Sequence, residues 1–382
     1  MEQFELNVNK ANVVIFTSFS GDGGVEKMIV NLCEGFLHHG SSVTLLLARD
    51  NSKHLSSLPN EVKVVKFPCS HTLTSLPYLV RYLKQEKPNS LLIAKHRSNQ
   101  LAVMAKKLSR VATRLVARVD TTISAALESK GQIRKILWYP MMRYFYRQLD
   151  AVIAVSQGVA EDVCRIADIS PRKVTAVPNP VIFKSMFVQA NEPIDHPWFG
   201  EQKIPVLLGI GRLNKQKDFH TLVRAFAKVR EGRPCRLVIL GEGDDRSSLQ
   251  KLSEELCVSE DVDLHGFVLN PYAYLKQSNL FVLSSVWEGS PTVLTEALAL
   301  GVPVVATDCP SGPREILRNG EIAPLVPMRD PAALADAILL ALETPPSKDI
   351  LQAAAKDYTI EASSLRHLEI LNVPDPGNKC GV

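Results

Sequence analysis

Short runs of apolar and β-branched residues alternate along the chain with longer segments in which apolar positions recur every three or four residues. The first run, 12–18, leads into the glycine-rich turn 21–24, and segment 25–39 then keeps its apolar residues on one helical face until Gly40. A compact apolar run predicts a buried strand, whereas the longer period predicts an amphipathic helix. The chain therefore opens with a strand, a glycine loop and a helix.

This alternation continues in two series. Strands of the first series are predicted at 42–48, 62–67, 90–94, 115–119 and 151–155, with helices at 101–109 and 133–149 among them, and the pattern becomes irregular after 174–178. Segment 191–200, with two prolines and several polar residues, predicts a linker. Strands of the second series are predicted at 206–209, 237–240, 262–265, 280–284, 304–307 and near Leu325.

Short buried strands that alternate with helices indicate parallel sheets covered on both faces. We therefore predict an α/β protein with two domains in tandem, at 1–185 and 200–358. A last helix at 359–372 is expected to pack back toward the N-terminal domain, and the polar tail after it to be frayed.

Composition restricts the class of protein further. The 382 residues are 46% hydrophobic and 22% charged, which argues against collagen-like, disordered and coiled-coil proteins. Residues 1–10 lack the basic and apolar regions of a signal peptide, and no run approaches the ~18 apolar residues of a membrane span. The seven cysteines are far apart and form no C-x-x-C pair, which predicts reduced thiols in a cytoplasmic protein.

Positive charge is concentrated in the N-terminal half. Between Arg81 and Asp150 there are fifteen Lys and Arg residues against four Asp and Glu, although the whole chain carries only +4. Basic and aromatic residues alternate on a predicted helix there: Arg134, Lys135, Trp138, Tyr139, Arg143, Tyr144, Phe145 and Arg147. This pattern fits either the solvated face of a crossover helix or a peripheral contact with an anionic membrane on its cytoplasmic side. No nucleic-acid motif accompanies it, so nucleic acid is not an expected partner.

Glycine loops follow three predicted strands, at 21–24, 209–211 and 241–243. None completes the G-x-G-x-x-G of a dinucleotide site, because Asn214 stands where the third glycine is required, and the chain has no Walker A sequence. The backbone N–H groups of such loops still suit a phosphate.

Two cations, Arg212 and Lys217, flank the turn after strand 206–209. A planar guanidinium and a compact ammonium together can neutralise a diphosphate with no metal. A solvated surface turn is an equally good interpretation of this segment alone.

The segment 288–297 strengthens the first interpretation. Glu288 precedes a predicted helix, Pro291 suits its first turn, and Glu296 lies inside it. The free N–H groups and partial positive charge of a helix N-terminus suit a diphosphate, and carboxylates suit sugar hydroxyls. The alternative is that both glutamates are ordinary surface acids.

E-G-x-P followed by E-A, with G-R-L-x-x-Q-K upstream and G-G-x-E at 23–26, resembles glycosyltransferase family 4 over almost the whole chain. The resemblance implies the GT-B architecture, in which two Rossmann-like parallel-sheet domains face a deep cleft, the first binding the acceptor and the second the nucleotide sugar. It also implies retaining transfer of a hexose or N-acetylhexosamine from a nucleoside-diphosphate sugar, expected to be a UDP-sugar. The implied acceptor is a hydroxyl of a glycan or lipid-linked molecule in cell-envelope synthesis, and no metal or other cofactor is required.

By the same resemblance, Arg212 and Lys217 hold the diphosphate, Glu288 the transferred sugar and Glu296 the ribose. Gly23 and Gly24 bring the N-terminal backbone against the phosphate. The other implied donor-site positions are Gly241, Gly243, Phe267, Gly289, Thr292, Val293 and Leu294.

Segment 309–317 resembles the members that transfer N-acetylhexosamines to polyprenyl-diphosphate oligosaccharides, although a tight Pro/Gly turn before a helix explains it equally.

The acceptor side is less determined. The family often has a histidine near the end of an N-terminal strand, and here His96 and Asp120 follow strands 90–94 and 115–119. His96 can instead be a loop residue, and Asp120 can instead cap the next helix.

Asp261 and Asp263 match the D-x-D metal signature of the other large glycosyltransferase architecture. They straddle the start of a short strand, so we expect one of them to face solvent and predict no metal.

Two other functions remain open on this architecture. A nucleotide-sugar epimerase would isomerise the donor without any acceptor, and a non-catalytic scaffold would bind the donor without turnover.

Overall fold

The computed structural model describes residues 12–21, 23–69, 71–128, 132–200 and 204–373, and for 132–137 it describes the backbone alone. Several expectations fall outside these residues. They concern segment 1–10, Asp22, Cys380, the side chains of Arg134 and Lys135, and the tail after 373.

The first half of the chain forms a seven-stranded parallel sheet with the order β3-β2-β1-β4-β5-β6-β7. Its strands are β1 (Asn12–Phe19), β2 (Ser42–Asp50), β3 (Lys63–Lys66), β4 (Ser90–Ala94), β5 (Arg114–Val119), β6 (Ala151–Ala154) and β7 (Val174–Ala176). Its helices are α1 (Gly24–His38), α2 (Leu76–Glu86), α3 (His96–Ser109), α4 (Ile123–Glu128), α5 (Gln132–Tyr146) and α6 (Gln157–Ala167).

The second half forms a six-stranded parallel sheet with the order β10-β9-β8-β11-β12-β13. Its strands are β8 (Val206–Ile210), β9 (Arg236–Leu240), β10 (Val262–Gly266), β11 (Leu280–Leu283), β12 (Val304–Thr307) and β13 (Leu325–Val326). The remaining helices are α7 (Lys184–Gln189), α8 (Phe219–Gly232), α9 (Arg246–Glu255), α10 (Pro271–Gln277), α11 (Thr292–Leu300), α12 (Pro313–Ile316), α13 (Pro331–Glu343), α14 (Lys348–Ala355) and α15 (Ile360–Leu371).

All twelve strands predicted from the apolar runs are present, with ends that differ by at most two residues, and β7 is a further strand that the pattern did not predict. Helix α3 differs more, because it begins at His96 instead of 101. Lys95, at φ 73°, turns the chain directly from β4 into that helix, so His96 is a helical residue and not a loop residue.

Each sheet is covered by apolar side chains on both faces. In β1, the fully buried Ile15 and Phe16 contribute to clusters on opposite sides of the sheet. In β8, Leu207 and Leu208 do the same. This double coverage explains why the inner strands appear in the sequence as continuous apolar runs without alternation.

The strand orders place a topological switch point at the centre of each sheet. In the first sheet the order reverses between β1 and β4, and in the second between β8 and β11. Ligands of doubly wound sheets bind beyond the carboxyl ends of the strands that flank such a point. The loops after β1, β4, β8 and β11 are therefore the positions at which a site is expected.

The chain crosses between the two halves twice, and the crossings run side by side. Ile182 forms a parallel bridge with Thr359, and the amides of Val181 and Ile182 both donate to the carbonyl of Tyr358 at 2.9 Å. Helix α15 then packs against α1, where Ser364 lies in close contact with Gly35. The end of the described chain is thus part of the N-terminal half.

Candidate active site

A lysine–glutamate pair lies at the switch point of the second sheet. Lys217 follows β8 and Glu288 follows β11, and their Nζ and Oε1 atoms are 2.6 Å apart. Ser285 donates to the same Oε1 at 2.6 Å, and the amide of Val286 donates to the carbonyl of Gln216 at 2.9 Å. These bonds hold the two loops together, so both charged groups lie at the carboxyl edge of the sheet.

The glycine loops of the second half are stacked against one another. A Cβ on Gly241, which has φ +143°, would lie 1.9 Å from the carbonyl oxygen of Gly211. Gly243 approaches the carbonyl of Leu213 in the same way. This contact needs glycine, and it fixes the loop that carries Arg212.

Arg212 extends from that loop toward the other domain. It is exposed and has no ion-pair partner within the described residues, and its Nη2 lies 4.0 Å from the position of a Cβ on Gly23. A Cβ on Gly24 would lie 4.0 Å from Oγ1 of Thr292. The structure therefore brings the G-G turn, Arg212 and the start of α11 together.

Helix α11 presents its N-terminus to the cleft. Thr292 and Val293 are half-buried in its first turn, whereas the side chain of Leu294 is fully buried in the core of the second domain. Only the amide of Leu294 can therefore face a ligand, as one of the free N–H groups of the first turn. Glu296, one turn further, is 1% exposed.

The loop between Glu288 and α11 is clamped by the N-terminal domain. A Cβ on Gly289 would lie 2.2 Å from the carbonyl oxygen of Asp120, so this contact also needs glycine. Oγ of Ser156 donates to the carbonyl of Gly289 at 2.7 Å, and Oγ1 of Thr122 donates to that of Glu288 at 2.7 Å. Nδ2 of Asn179 donates to the carbonyl of Ser290 at 3.1 Å. The backbone next to Glu288 is thus positioned by both domains.

Glu315 adds a charged contact between the domains. Its carboxylate accepts from the amides of Gln157 and Gly158, at 2.8 and 2.9 Å, at the N-terminus of α6. A carboxylate at this end of a helix is favoured by the free N–H groups and the helix dipole.

Asp120 lies at the end of β5 beside the clamped loop, and its carboxylate is paired with the guanidinium of Arg118. Arg118 is 1% exposed and also donates to Oδ1 of Asn179. The amide of Ser124 in the following helix donates to Asp162 at 3.0 Å. The interpretation of Asp120 as the cap of that helix is therefore not supported, whereas its position next to the loop keeps it as an acceptor candidate.

His96 lies in an aromatic stack of the N-terminal domain. Its ring is 4.8 Å from that of Trp138 and 6.0 Å from that of Tyr146. Burial, assisted by the charge of Arg97, lowers the pKa of His96 to about 4, so the ring is neutral at pH 7. Nε2 is paired with the Gln100 amide, and the buried Nδ1 has no partner among the described residues.

Sequence reasoning missed an ion pair at the switch point of the first sheet. Lys95, directly after β4, lies with its Nζ 2.6 Å from Oε1 of Glu26 in the first turn of α1. The same ammonium donates to the Ser18 carbonyl at 2.5 Å and to Oγ of Ser20 at 3.2 Å. The rule that ligand-binding residues follow strand ends identifies Lys95, and Glu26 belongs to the G-G-x-E motif.

A second missed contact crosses the cleft. Nζ of Lys27 lies 2.6 Å from Oε1 of Glu296, although 269 positions separate them in sequence. Burial by itself lowers the pKa of Lys27, but the side chains of Glu296 and Tyr272 together outweigh that effect and hold the pKa above its usual value. Lys53 lies over the ring of Phe267, 5.0 Å from its centroid. Both Glu296 and Phe267 are therefore contacted by N-terminal lysines.

The D-x-D aspartates belong to polar networks elsewhere. Asp261 pairs with Arg230 at 2.6 Å, before the start of β10 and hence at the opposite edge from Glu288. Asp263 has contacts of 2.9 Å to Nε2 of His196 and 3.1 Å to Nδ1 of His265. Side-chain atoms of these three residues lie within 4.8 Å of one another, near enough for a metal ion.

The hydrogen bonds of His196 disfavour a metal ligand. The amide of Trp198 donates to Nδ1 of His196 at 3.1 Å, so the proton of this ring is assigned to Nε2, which then donates to Asp263. A metal on Nε2 would move that proton to Nδ1, opposite an amide that also donates.

The basic helix α5 is more buried on its aromatic side than its sequence suggests. Tyr139, Phe145 and Tyr146 pack against the core of the first domain, and Tyr144 remains 56% exposed. In the described part of the chain no helix has the length and apolar character that crossing a membrane requires. The six described cysteines are free thiols.

Comparisons with known proteins agree with this architecture. The family profile "Glycosyltransferase Family 4" matches residues 22–183, and "Glycosyl transferases group 1" matches 192–358. Over 326 residues, the chain is 31% identical to the N-acetylgalactosamine-N,N'-diacetylbacillosaminyl-diphospho-undecaprenol 4-alpha-N-acetylgalactosaminyltransferase of Campylobacter jejuni, covering 82% of this chain and 85% of that enzyme. It is 26% identical to the lipopolysaccharide core biosynthesis glycosyltransferase LpsE of Rhizobium meliloti, covering 84% and 86%.

Among solved structures, HepE of Anabaena in complex with UDP-glucose superimposes with a TM-score of 0.75 at 17% identity, covering 94% of this chain and 99% of that one. The two doubly wound domains and the cleft between them are those of a glycosyltransferase with the GT-B fold. The chain belongs to glycosyltransferase family 4. The fold and enzyme class expected from the sequence are confirmed.

Proposed function

We propose that this enzyme transfers a hexose or N-acetylhexosamine, with retention, from a UDP-sugar to a hydroxyl of a glycan or lipid-linked acceptor in cell-envelope synthesis. The supporting observation is the convergence of Arg212, the Lys217–Glu288 pair and the N-terminus of α11 on one edge of the second sheet. In this arrangement the diphosphate lies against the two cations and the helix end. Glu288 faces the transferred sugar, and Glu296 faces the ribose.

The chemistry follows from charge development. When the bond between the sugar carbon and the diphosphate oxygen breaks, the diphosphate gains one negative charge. We expect Arg212, Lys217 and the helix N-terminus to face that position, and such preorganised groups stabilise the transition state. The acceptor hydroxyl attacks from the face that the diphosphate leaves, so the departing phosphate oxygen can accept its proton. This geometry retains the anomeric configuration and uses no metal.

The names of the relatives support the donor and acceptor classes. HepE was solved with UDP-glucose, and the Campylobacter enzyme acts on an undecaprenyl-diphosphate-linked acceptor. The segment 309–317 lies at the domain contact through Ser311, whose Oγ is 2.9 Å from that of Thr122. We therefore place the acceptor between this segment, Asp120 and His96.

A thermal-shift screen of nucleotide sugars tests the donor. A ligand at 100 times its dissociation constant adds about 2.7 kcal/mol to stability, so UDP-sugars should raise the melting temperature more than GDP- or ADP-sugars. Stabilisation only by GDP- or ADP-sugars would contradict the uridine assignment.

Product analysis tests the reaction. With a donor and a lipid-linked acceptor, NMR should show the donor's anomeric configuration in the product. Isomerised sugar formed from the donor alone would instead indicate an epimerase. Donor binding without turnover on any glycan or lipid-linked acceptor would indicate a binding scaffold.

We further propose a peripheral membrane contact through α2 and the segment directly before it. Leu73 is 63% and Tyr78 38% exposed, and Arg81, Lys84 and Lys87 are exposed on or next to the same helix. Each basic residue near an anionic surface contributes about 1 kcal/mol. The protein should therefore float with vesicles that contain anionic lipid and not with zwitterionic vesicles, and flotation independent of anionic lipid would contradict this contact.

A further inference from the structure

Lys27 brings a charge of the N-terminal domain into the donor site. It lies in the first turn of α1, close to the G-G turn, and its ammonium contacts the Glu296 carboxylate at 2.6 Å. The ammonium also lies 4.6 Å from the ring centroid of Tyr272 on α10. The Lys27 side chain keeps 23% exposure whereas Glu296 keeps 1%, so the lysine is the partner that a ligand can reach.

Lys27 is paired with the Glu296 carboxylate, and in the proposed function that same carboxylate binds the ribose hydroxyls. A ribose diol would donate its hydroxyls to Glu296 and compete with Lys27 for the same oxygens. A half-buried lysine displaced in this way is stabilised by another anion, because a partly desolvated cation without a partner is costly.

The diphosphate is the anion within reach. It is expected at the first turn of α11, where Thr292 stands four residues before Glu296, and such positions are about 5–6 Å apart on one helix face. Gly24, three residues before Lys27, already meets Thr292 at this point. The flexible stem of a lysine spans this distance without movement of the backbone.

We propose that Lys27 is a third cation of the donor site, which neutralises Glu296 in the empty cleft and shifts to the donor's diphosphate when the ribose hydroxyls bind that carboxylate. This assignment rests on the proposed function. It makes the diphosphate a ligand of both domains, so the full set of cations exists only when the cleft is closed.

The test compares the binding of UDP and uridine to the full-length protein and to Lys27→Met, by calorimetry for UDP and by competition for uridine. Both ligands carry the ribose, and only UDP carries the diphosphate. The assignment predicts that Lys27→Met weakens UDP binding at least tenfold and leaves uridine binding equal or tighter, because Glu296 is then free. Lys27→Arg should keep most of the UDP affinity.

A double variant separates this effect from the burial of an unpaired carboxylate. Lys27→Met with Glu296→Gln should bind UDP at least tenfold more weakly than Glu296→Gln alone. Equal or tighter UDP binding by Lys27→Met would overturn the assignment, since Lys27 would then only occupy the ribose position. A wild-type protein that binds no UDP would instead overturn the proposed donor, and the assignment with it.

Discussion

Each domain carries a lysine–glutamate pair at its topological switch point, and the two pairs differ in how many hydrogen bonds the lysine ammonium donates. The Lys95–Glu26 and Lys217–Glu288 pairs both have contacts of 2.6 Å. An ammonium has three hydrogens to donate. Lys95 uses them on Glu26, Ser18 and Ser20. In the described structure Lys217 donates from its ammonium to Glu288 alone.

We infer from this difference that position in the topology does not by itself define a binding residue. Both lysines follow strands at a switch point, but Lys95 is saturated by its own domain whereas Lys217 keeps donors for a ligand. We therefore expect the first pair to stabilise the fold and the second to bind the donor.

Replacing Lys217 should have the largest effect. Lys217→Met removes a preorganised cation from the departing diphosphate, and loss of one such group costs about 3 kcal/mol, about 100-fold in rate. Steady-state kinetics with a UDP-sugar would measure this change. Lys215→Met, an exposed lysine two residues earlier, is the matched control and should keep normal turnover. Near-normal activity of a folded Lys217→Met protein would remove the distinction between the two pairs.

The fold was predictable because both sheets are buried on both faces. The inner strands are then apolar runs, whereas the edge strands β3 and β10 include polar residues. The proximity of the candidate site residues was predictable for a related reason. Arg212, Lys217, Glu288 and Glu296 lie within motifs of a few residues, each attached to one strand end.

Contacts between residues distant in sequence were not predictable in this way. Lys27 meets Glu296 only because two separately folded domains close on each other. The saturation of Lys95 depends on the Ser18 carbonyl, whose direction no sequence pattern encodes. The helical position of His96 depends on a positive φ at Lys95, and lysine gives no sign of that conformation.

A substitution at Gly289 can disrupt the contact between the domains without removing a charged group. A Cβ at this position would lie 2.2 Å from the Asp120 carbonyl, so Gly289→Ala must shift backbone on one side of the cleft. Misplacement by about 1 Å can cost up to 100-fold in rate, and we expect a loss of about thirtyfold in kcat. Gly232→Ala at the end of α8, where a Cβ meets nothing within 4 Å, should be neutral. Unchanged turnover in Gly289→Ala would show that this contact is not needed for the reaction.

Lys95→Met tests the other member of the comparison. It leaves the Glu26 carboxylate, 5% exposed, without its cation, which should lower the free energy of unfolding by about 1–2 kcal/mol. UDP affinity should remain within about twofold of wild type. Chemical denaturation would measure the stability, and calorimetry would measure the UDP affinity. Lys95→Met with Glu26→Gln, which removes the unpaired charge, should recover part of the stability. A loss of UDP affinity as large as that in Lys217→Met would mean that both pairs serve the donor.

The smallest predicted effect concerns how stability depends on pH. It involves helix α15, which packs against the N-terminal domain. His367 on α15 is fully buried, and burial together with the charge of Arg118 lowers its pKa to about 3. Between pH 6.5 and 3 the unfolded chain therefore binds a proton here that the folded protein does not, and stability falls as pH decreases, by up to about 1.4 kcal/mol per pH unit. His367→Gln should reduce the slope of stability between pH 6 and 4.5 by about 1 kcal/mol per unit. His220→Gln, whose ring contacts Ser248 at the surface, is the control, and an unchanged slope in His367→Gln would assign the acid sensitivity to other groups such as His96.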